Sequence, residues 1–362
     1  MSRTMNKDNF AVLMAGGVGS RFWPVSTASK PKQFRDLLGS GETLLQTTFK
    51  RLNKLVPAEN IYILTNQQYD SLVREQLPSV HQEQIVLEPA MRNTAPAVLL
   101  AAFKIGKRNR NAVMVMAPSD HWIEDEAAFV NDISLAFEAC RTKERIVTLG
   151  IKPSFPNTGF GYIKFEEGGG PLHQVHNFTE KPDFETARKF LKEGNYVWNA
   201  GIFIWNISYI LNSFKRNLPE MNQLLSAGDA VYNTPEEPAF IQSEYSKAQD
   251  ISIDYGILEK EENVYVIQAS FDWNDLGTWG SVYNEMEKDS NANAVLNARL
   301  MAMEATGNMI GTSTNKVVVV DGLKDYIIID EEEVLLLVPK AKEQEIKAIR
   351  TAVQMKFGNN LG

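Results

Sequence analysis

One cysteine and four histidines stand in 362 residues, and each scarcity excludes something. A single thiol, Cys140, cannot support an internal disulfide framework or a multi-cysteine zinc site. Set in the helix-like segment AFEACR, it reads as a core thiol. No apolar run approaches the roughly 18–20 residues that span a bilayer, so no membrane partner is expected. The opening MSRTMNKDNF lacks the apolar stretch of a secretory leader. Together these absences point to the cytoplasm. Basic charge is also short: 37 Lys and Arg against 45 Asp and Glu leave a net charge of −8, which argues against general nucleic-acid binding. What remains is an ordinary globular balance, long enough for one large α/β domain and a smaller appendage.

The charge is uneven. Residues 1–51 hold eight Lys and Arg against three Asp and Glu, a net of +5, and the remainder carries −13. A basic island heading an acidic chain suggests a local anion site, although such an imbalance is ordinarily solvated surface.

Apolar runs alternate with helical patterns. Phe10 to Ala15 (FAVLMA) predicts a buried strand that ends in a glycine-rich turn. A helix follows from about Thr43 to Leu55, then a strand at Ile61–Thr65, a polar helix, and a strand near Ile85–Leu87. The alternation continues with a helix from about Thr94 to Lys107, a strand at Ala112–Ala117, a helix around Ala127–Arg141 and a strand at Arg145–Gly150. This order predicts an α/β domain whose mixed, mostly parallel sheet is covered on both faces and binds ligands at the carboxyl ends of its strands. From about Pro153 to Ile267 the pattern is less regular and reads as the substrate-facing half of the same domain. Short apolar runs then appear at KVVVVD, YIIID and VLLLVP, with a helix from about Lys342. The expected division is therefore a catalytic domain over 1–289 and a small β-rich domain over 290–362.

The strongest signal is AGGVGSRFWPVSTASKPKQF, residues 15–34. Gly16, Gly17 and Gly19 remove side chains just after the first strand, so that backbone N–H groups can approach an anion. Arg21 offers a fork of donors for phosphate oxygens, and Lys32 a mobile point charge. No GK[ST] follows at the Walker spacing, and Phe22 stands where the dinucleotide fingerprint needs its third glycine. Arg21, Pro24, Lys30, Pro31 and Lys32 together weigh against a plain glycine turn with a solvated flank.

With these residues in this order, the segment resembles that of the sugar-1-phosphate nucleotidyltransferases, and KPKQF looks like their mannose-1-phosphate guanylyltransferase branch. The resemblance covers essentially the whole chain. It implies a Rossmann-like nucleotidyltransferase domain followed by a short left-handed β-helix, a segment that often mediates subunit contacts and leaves a homodimer open. It implies GTP and mannose 1-phosphate as substrates. Ala15, Gly16, Gly17, Gly19, Ser20 and Arg21 would hold the triphosphate, with Arg21 on its outer phosphates and Lys32 near the reacting ones. Many bacterial relatives carry an additional phosphomannose isomerase domain; this chain stops before one, so isomerase activity is not expected.

Further segments fall into place in the family's order. In LEPAMRNTAPA, residues 87–97, Asn93 or Thr94 can cap a helix whose first turn includes Pro96. Glu88 can accept from guanine N1–H and N2–H₂, a pairing adenine cannot offer, and the resemblance extends base or ribose contact over Glu88, Asn93, Thr94 and Ala95. APSDHW and FDWNDLGTW place Asp120 after a strand and Asp272 and Asp275 before a helix. A strand-end aspartate is ordinarily a turn or cap residue; the resemblance makes Asp120 and Asp275 the ligands of Mg²⁺, which takes one or two carboxylates plus phosphate oxygens and water. Asp272 then reads as a turn former, and His121 as a packing or hydrogen-bonding neighbour. TGFGYIKF, TEKP, WNAGIFIW and SIDYGILE match the family's sugar segments. They imply sugar-phosphate contacts from Gly161, Tyr162, Glu180, Lys181, Asn199 and Asp254.

The implied reaction is attack by the sugar phosphate on the α-phosphorus of GTP. A monoester is mostly doubly charged near neutrality, since its second pKa is about 6, so no general base is needed. Two alternatives stay open: the same fold acting on another sugar 1-phosphate, such as a heptose or fucose derivative, or a non-catalytic nucleotide-sugar sensor.

Overall fold

Strand β1 (Asn9–Met14) is buried at every residue but its last, which requires cover on both faces of the sheet. The computed structural model describes residues 5–17, 19–358 and 361; the first four residues of the stretch read for a leader lie outside them. Eight more strands join β1: β2 (Ile61–Asn66), β3 (Ile85–Glu88), β4 (Val113–Pro118), β5 (Ile146–Ile151), β6 (Tyr162–Phe165), β7 (Leu172–Thr179), β8 (Tyr196–Asn206) and β9 (Val264–Gln268). Between them run α1 (Leu44–Leu52), α2 (Asp70–Gln76), α3 (Thr94–Arg108), α4 (Glu126–Thr142), α5 (Phe184–Glu193), α6 (Ile207–Asn217), α7 (Pro219–Ser226) and α8 (Glu237–Glu244). No helix among the described residues is long and apolar enough to cross a membrane.

The sheet order is β3-β2-β1-β4-β8-β5-β9-β7-β6, with β8 also pairing β6. The parallel arrangement expected from the alternation holds from β3 to β4. Beyond it the sheet is mixed, as expected, but it is not mostly parallel, because β8 inserts antiparallel between β4 and β5. That strand is eleven residues long, and Gly201, with φ of 68°, lies within it. One half pairs β6 (Tyr162 opposite Trp198) and the other β4 (Met114 opposite Trp205). The register of β5 slips between Thr148 and Gly150; a Cβ at Gly150 would lie 2.3 Å from Val197 Cγ2, so only glycine admits the neighbouring strand there.

Contacts divide the chain into two compact units that do not follow chain order. The larger takes residues up to Gly16, Phe49–Pro118 and Ile123–Trp273, and contains the whole nine-stranded sheet. The smaller gathers Gly17–Thr48, Ser119–Trp122 and the chain from Asn274 onward. Its core explains the grouping: Phe22, Trp23, Leu37 and Leu44 of the N-terminal stretch bury against Trp279, Val282, Met309 and Ile327. Within it lie α9 (Trp279–Glu285), β10 (Ala294–Leu296), β11 (Arg299–Met303), β12 (Met309–Thr312), β13 (Val317–Asp321), β14 (Tyr326–Asp330), β15 (Leu335–Pro339) and α10 (Ile346–Phe357). Successive strands alternate between two ladders, β10-β12-β14 and β11-β13, both parallel, and β15 closes the first antiparallel. Buried Asn293 and Asn308 stitch one corner: Asn308 Nδ2 donates to Asn293 Oδ1 at 3.0 Å and to the Leu323 carbonyl at 2.9 Å. Such side-chain bonds satisfy backbone groups that the turns leave without a ladder partner.

Candidate active site

In the smaller unit, Gly19 adopts φ of 59°, and a Cβ on it would lie 2.9 Å from Lys32 Cγ. Glycine is needed twice here, for the left-handed backbone and for the lysine stem. The turn leads into a single 3₁₀ turn, Ser20–Phe22. Phe22 packs edge-on against Trp279, with centroids 5.3 Å apart, while Arg21 stays exposed. Gln33 Nε2 donates to the Gly17 carbonyl at 3.0 Å and ties the loop to the segment carrying Lys32.

Lys32 is held rather than mobile. It is 8% exposed, its ammonium lies 3.0 Å from Asp120 Oδ2, and it donates to the carbonyls of Asp275 at 2.9 Å and Leu276 at 3.2 Å. An ammonium has three donors, and these three oxygens occupy them. Burial alone would raise the Asp120 carboxyl, but the charges of Lys32 and His121 and the Lys32 hydrogen bond carry it below the ordinary value. His121 Nε2 lies 3.9 Å from Asp120 Oδ1. Asp275 sits in a turn shaped for it: Leu276 has φ of 44°, the Gly277 N–H donates to Asp275 Oδ1 at 3.2 Å, and a Cβ at Gly277 would crowd Asp275 Oδ2 at 2.7 Å.

Gly19, Ser20, Arg21, Lys32, Asp120 and Asp275 thus line one cavity of about 270 Å³. Among the described residues no group of three or more His, Cys, Asp or Glu is placed to hold a metal. Two carboxylates fit a hard divalent cation that completes its shell with phosphate oxygens and water. They do not make a cage that holds one alone. Asp272 belongs elsewhere: in the larger unit it accepts the N–H groups of Glu124 at 2.8 Å and Asp125 at 2.6 Å, a long-range tie to the start of α4 rather than the local turn read from the sequence.

The larger unit holds the other expected residues in two groups. Ala15 closes β1, its N–H donating to Leu64 at 2.8 Å and its carbonyl accepting from Thr65 Oγ1 at 2.8 Å. Glu88 ends β3 and is 9% exposed; its Oε1 accepts the hydroxyl of Tyr245, which has no exposed surface. Burial pushes the Glu88 carboxyl up to about 7, against that hydrogen bond. Its Oε2 faces Gly16, where a Cβ would lie 3.7 Å away. Asn93 caps α3, its side chain accepting from the Thr94 N–H at 3.1 Å. Thr94 Oγ1 accepts from the Ile253 N–H at 2.9 Å, and the Ala95 N–H donates to Ile251 at 3.1 Å.

Those bonds connect to the second group. Asn199 Nδ2 donates to Asp254 Oδ1 at 2.9 Å, and a Cβ on Gly161 would lie 2.5 Å from Glu180 Oε2 and 3.5 Å from Asn199 Cβ. Burial, then the Glu180 charge, push the Asp254 carboxyl up to about 6, against its backbone hydrogen bond, Asn199 and Lys181. Lys181 pairs with Glu180 at 2.6 Å. Tyr162 is not with them: it is fully buried, packs on Phe190 and donates its hydroxyl to the Asn157 carbonyl at 3.0 Å. Tyr162 opens β6 and packs with Ala187, Tyr196 and Trp198, whereas Gly161 precedes the strand. Sequence reasoning missed Tyr245 altogether, since a lone tyrosine after a helix carries no local signal.

A profile of the nucleotidyl transferase family matches residues 10–292, and the chain belongs to that family, which generally uses a divalent metal. Within it the chain is similar to the mannose-1-phosphate guanylyltransferase of Salmonella typhimurium, 36% identical over 346 residues that cover 93% of this chain and 71% of that protein. It is likewise similar to the enzyme of that name from Salmonella montevideo, 34% identical over 357 residues, 95% of this chain and 74% of that one. Among solved structures it is similar to a crystal structure described as mannose-1-phosphate geranyltransferase from Thermus thermophilus. That match has a TM-score of 0.85 and 29% identity, and covers 96% of this chain and 99% of the other. These likenesses bear out the family resemblance read from KPKQF and RNTAPA.

Proposed function

We propose that the chain transfers GMP from GTP to α-D-mannose 1-phosphate, giving GDP-mannose and pyrophosphate. The names of its relatives support the substrates. The observation that carries the chemistry is the single cavity in which Arg21 and Lys32 meet Asp120 and Asp275. Cations and carboxylates lining one space suit a polyphosphate accompanied by a divalent ion, and phosphoryl transfer needs positioning and charge neutralisation more than bond-making groups.

In this reading Arg21 binds the outer phosphates, and Lys32 stabilises charge at the reacting ones while it positions Asp120. Ala15, Gly16, Gly17, Gly19 and Ser20 present backbone to the triphosphate. Glu88 receives the guanine edge, with Asn93, Thr94 and Ala95 beside the base or ribose. Gly161, Glu180, Lys181, Asn199 and Asp254 hold the sugar phosphate. We assign Mg²⁺ to Asp120 and Asp275, where, when bound, it would neutralise phosphate charge and hold the two substrates in register. The sugar phosphate dianion attacks the α-phosphorus and pyrophosphate leaves, with no protein base required.

The same reading treats 1–289 as the stretch that supplies every substrate contact, and 290–362 as a short left-handed β-helix with a terminal helix. The alternation of β10 to β14 between two parallel ladders supports a coil of this kind. We place the protein in the cytoplasm.

Pyrophosphate release measured for each nucleoside triphosphate against mannose, glucose and fucose 1-phosphates tests the proposal. Rapid release confined to GTP with mannose 1-phosphate is expected. Faster turnover of another sugar phosphate reassigns the sugar, and no release from any pair leaves a nucleotide-sugar sensor.

A further inference from the structure

Glu88 has two carboxylate oxygens, and the hydrogen bond it accepts among the described residues comes from Tyr245 to Oε1. We propose that Tyr245 is a positioning residue for nucleotide selection, its hydroxyl fixing the Glu88 carboxylate in the orientation that receives the guanine edge. The inference rests on the reading of Glu88 as the guanine acceptor.

The tyrosine is built as a fixed donor. It opens a 3₁₀ turn, Tyr245–Lys247, just after α8. Its ring belongs to the main hydrophobic core of the larger unit. Two torsions set a tyrosine side chain, and burial fixes both, so the phenol oxygen is placed by packing. The backbone of this turn is held to the same stretch of chain a second time. Arg92 donates from Nε at 2.9 Å and from Nη2 at 2.6 Å to the Ser246 carbonyl. Residues 245 and 246 therefore grip the segment 88–92 at both of its ends.

Guanine presents N1–H and N2–H₂ side by side, so both carboxylate oxygens must lie near the plane of the base. A carboxylate accepts at about four lone-pair sites; the tyrosine occupies one on Oε1 and leaves another there, along with Oε2, which faces the side-chain-free Gly16. The hydroxyl thus sets the twist of the carboxylate without blocking either contact. It also favours the charged carboxylate, the form that can accept twice. The ionisable groups around this pair are Glu88 itself, Tyr245 and Arg92.

The test compares Tyr245→Phe, Arg92→Gln and Glu88→Gln with the wild type. Steady-state kinetics are run with GTP and with ITP, which lacks the 2-amino group, across neutral pH at saturating mannose 1-phosphate. Tyr245→Phe is expected to raise KM for GTP about ten-fold with little change in kcat. It should narrow the preference for GTP over ITP and move upward the pH below which KM climbs. Arg92→Gln, which loosens the turn while keeping the tyrosine, should move the preference in the same direction. Unchanged preference and pH profile in both variants, whatever their melting temperatures, overturn the inference and leave Tyr245 a core residue. If Glu88→Gln itself keeps the wild-type preference for GTP, the guanine reading fails and the role of Tyr245 falls with it. If Glu88→Gln loses that preference while the other two variants keep it, only the role of Tyr245 fails.

Discussion

The ammonium of Lys32 lies 3.0 Å from Asp120 Oδ2 and spends its remaining donors on two carbonyls of the Asp275–Leu276 turn. One side chain thus joins the glycine loop, the exit of β4 and the turn before α9. A phosphate oxygen reaches this ammonium only by replacing one of those oxygens. In the proposed reaction Lys32 therefore has two tasks: it holds the Asp120 carboxylate and the backbone of Asp275 in place before substrate arrives and shares its charge with phosphate afterwards.

Lys32→Met is expected to lower kcat by about 10²-fold or more. It should also destabilise the fold by about 1–3 kcal/mol, because a mostly buried carboxylate loses its cation. Lys32→Arg should not restore activity, since a planar guanidinium cannot direct donors to the same three oxygens. Pyrophosphate release and thermal melting check both statements. Wild-type turnover in Lys32→Met would remove the residue from the site.

Asp275→Asn separates chemistry from folding. The amide keeps an acceptor for the Gly277 N–H, now bonded to Asp275 Oδ1 at 3.2 Å, so melting should change by only a few degrees. Turnover should fall by about 10²–10³-fold, and binding of Mn²⁺ in the presence of GTP, followed by electron paramagnetic resonance, should weaken. Unaltered Mn²⁺ binding would move the cation away from Asp275.

At Gly161 a single methyl group is decisive. The added carbon of Gly161→Ala would stand 2.5 Å from Glu180 Oε2, too close to coexist with the present rotamer, so the carboxylate must move. KM for mannose 1-phosphate is expected to rise about ten-fold or more, with KM for GTP within about two-fold. If both constants shift together, the Gly161–Glu180 contact is not specific to the sugar.

Asp254 predicts a pH-dependent gain in stability. Its folded pKa, raised to about 6 from 3.8, means that the folded chain holds this proton more tightly than the unfolded one. Stability from this group is therefore full below the unfolded value and lost as pH rises through the folded one. Asp254→Asn removes the loss and keeps an acceptor for Asn199. The variant should match the wild type in acid and exceed it by about 1–3 kcal/mol above neutrality, while turnover falls. Urea denaturation at several pH values reads the difference; a gain independent of pH would contradict the assigned cause.

The first half of the sheet was legible because each element is local. FAVLMA ends within a residue of β1, and the patterns over Thr94–Lys107 and Ala127–Arg141 became α3 and α4. The insertion of β8 was not legible. Its sequence, YVWNAGIFIWN, reads as any apolar strand, and what sets its place is pairing with β4 and β5 far away along the chain. The site divides in the same way. Glycines and charges in the loop announce a phosphate from their own spacing, and Asp120 and Asp275 lie in recognisable motifs. Tyr162 shares a motif with Gly161, but it opens β6 with its side chain in the core, while Gly161 lies just before the strand. Tyr245 meets Glu88 across a sequence separation of 157, and no periodicity reports a contact of that kind.

The partners of Lys32 bear on how this chain is made. Two of its three oxygens lie on residues 243 and 244 positions later, and the core beneath the loop is closed by side chains still further on, such as Met309 and Ile327. A ribosome adds residues at about 5–20 per second, so the phosphate loop leaves it many seconds before any of these partners exists. Until then a basic, glycine-rich stretch with Phe22 and Trp23 has only its own Leu37 and Leu44 from this core to bury against. The larger unit has the strands of its sheet by residue 268, whereas the cavity of the smaller one has to wait for Asp275 and for the core residues that follow it.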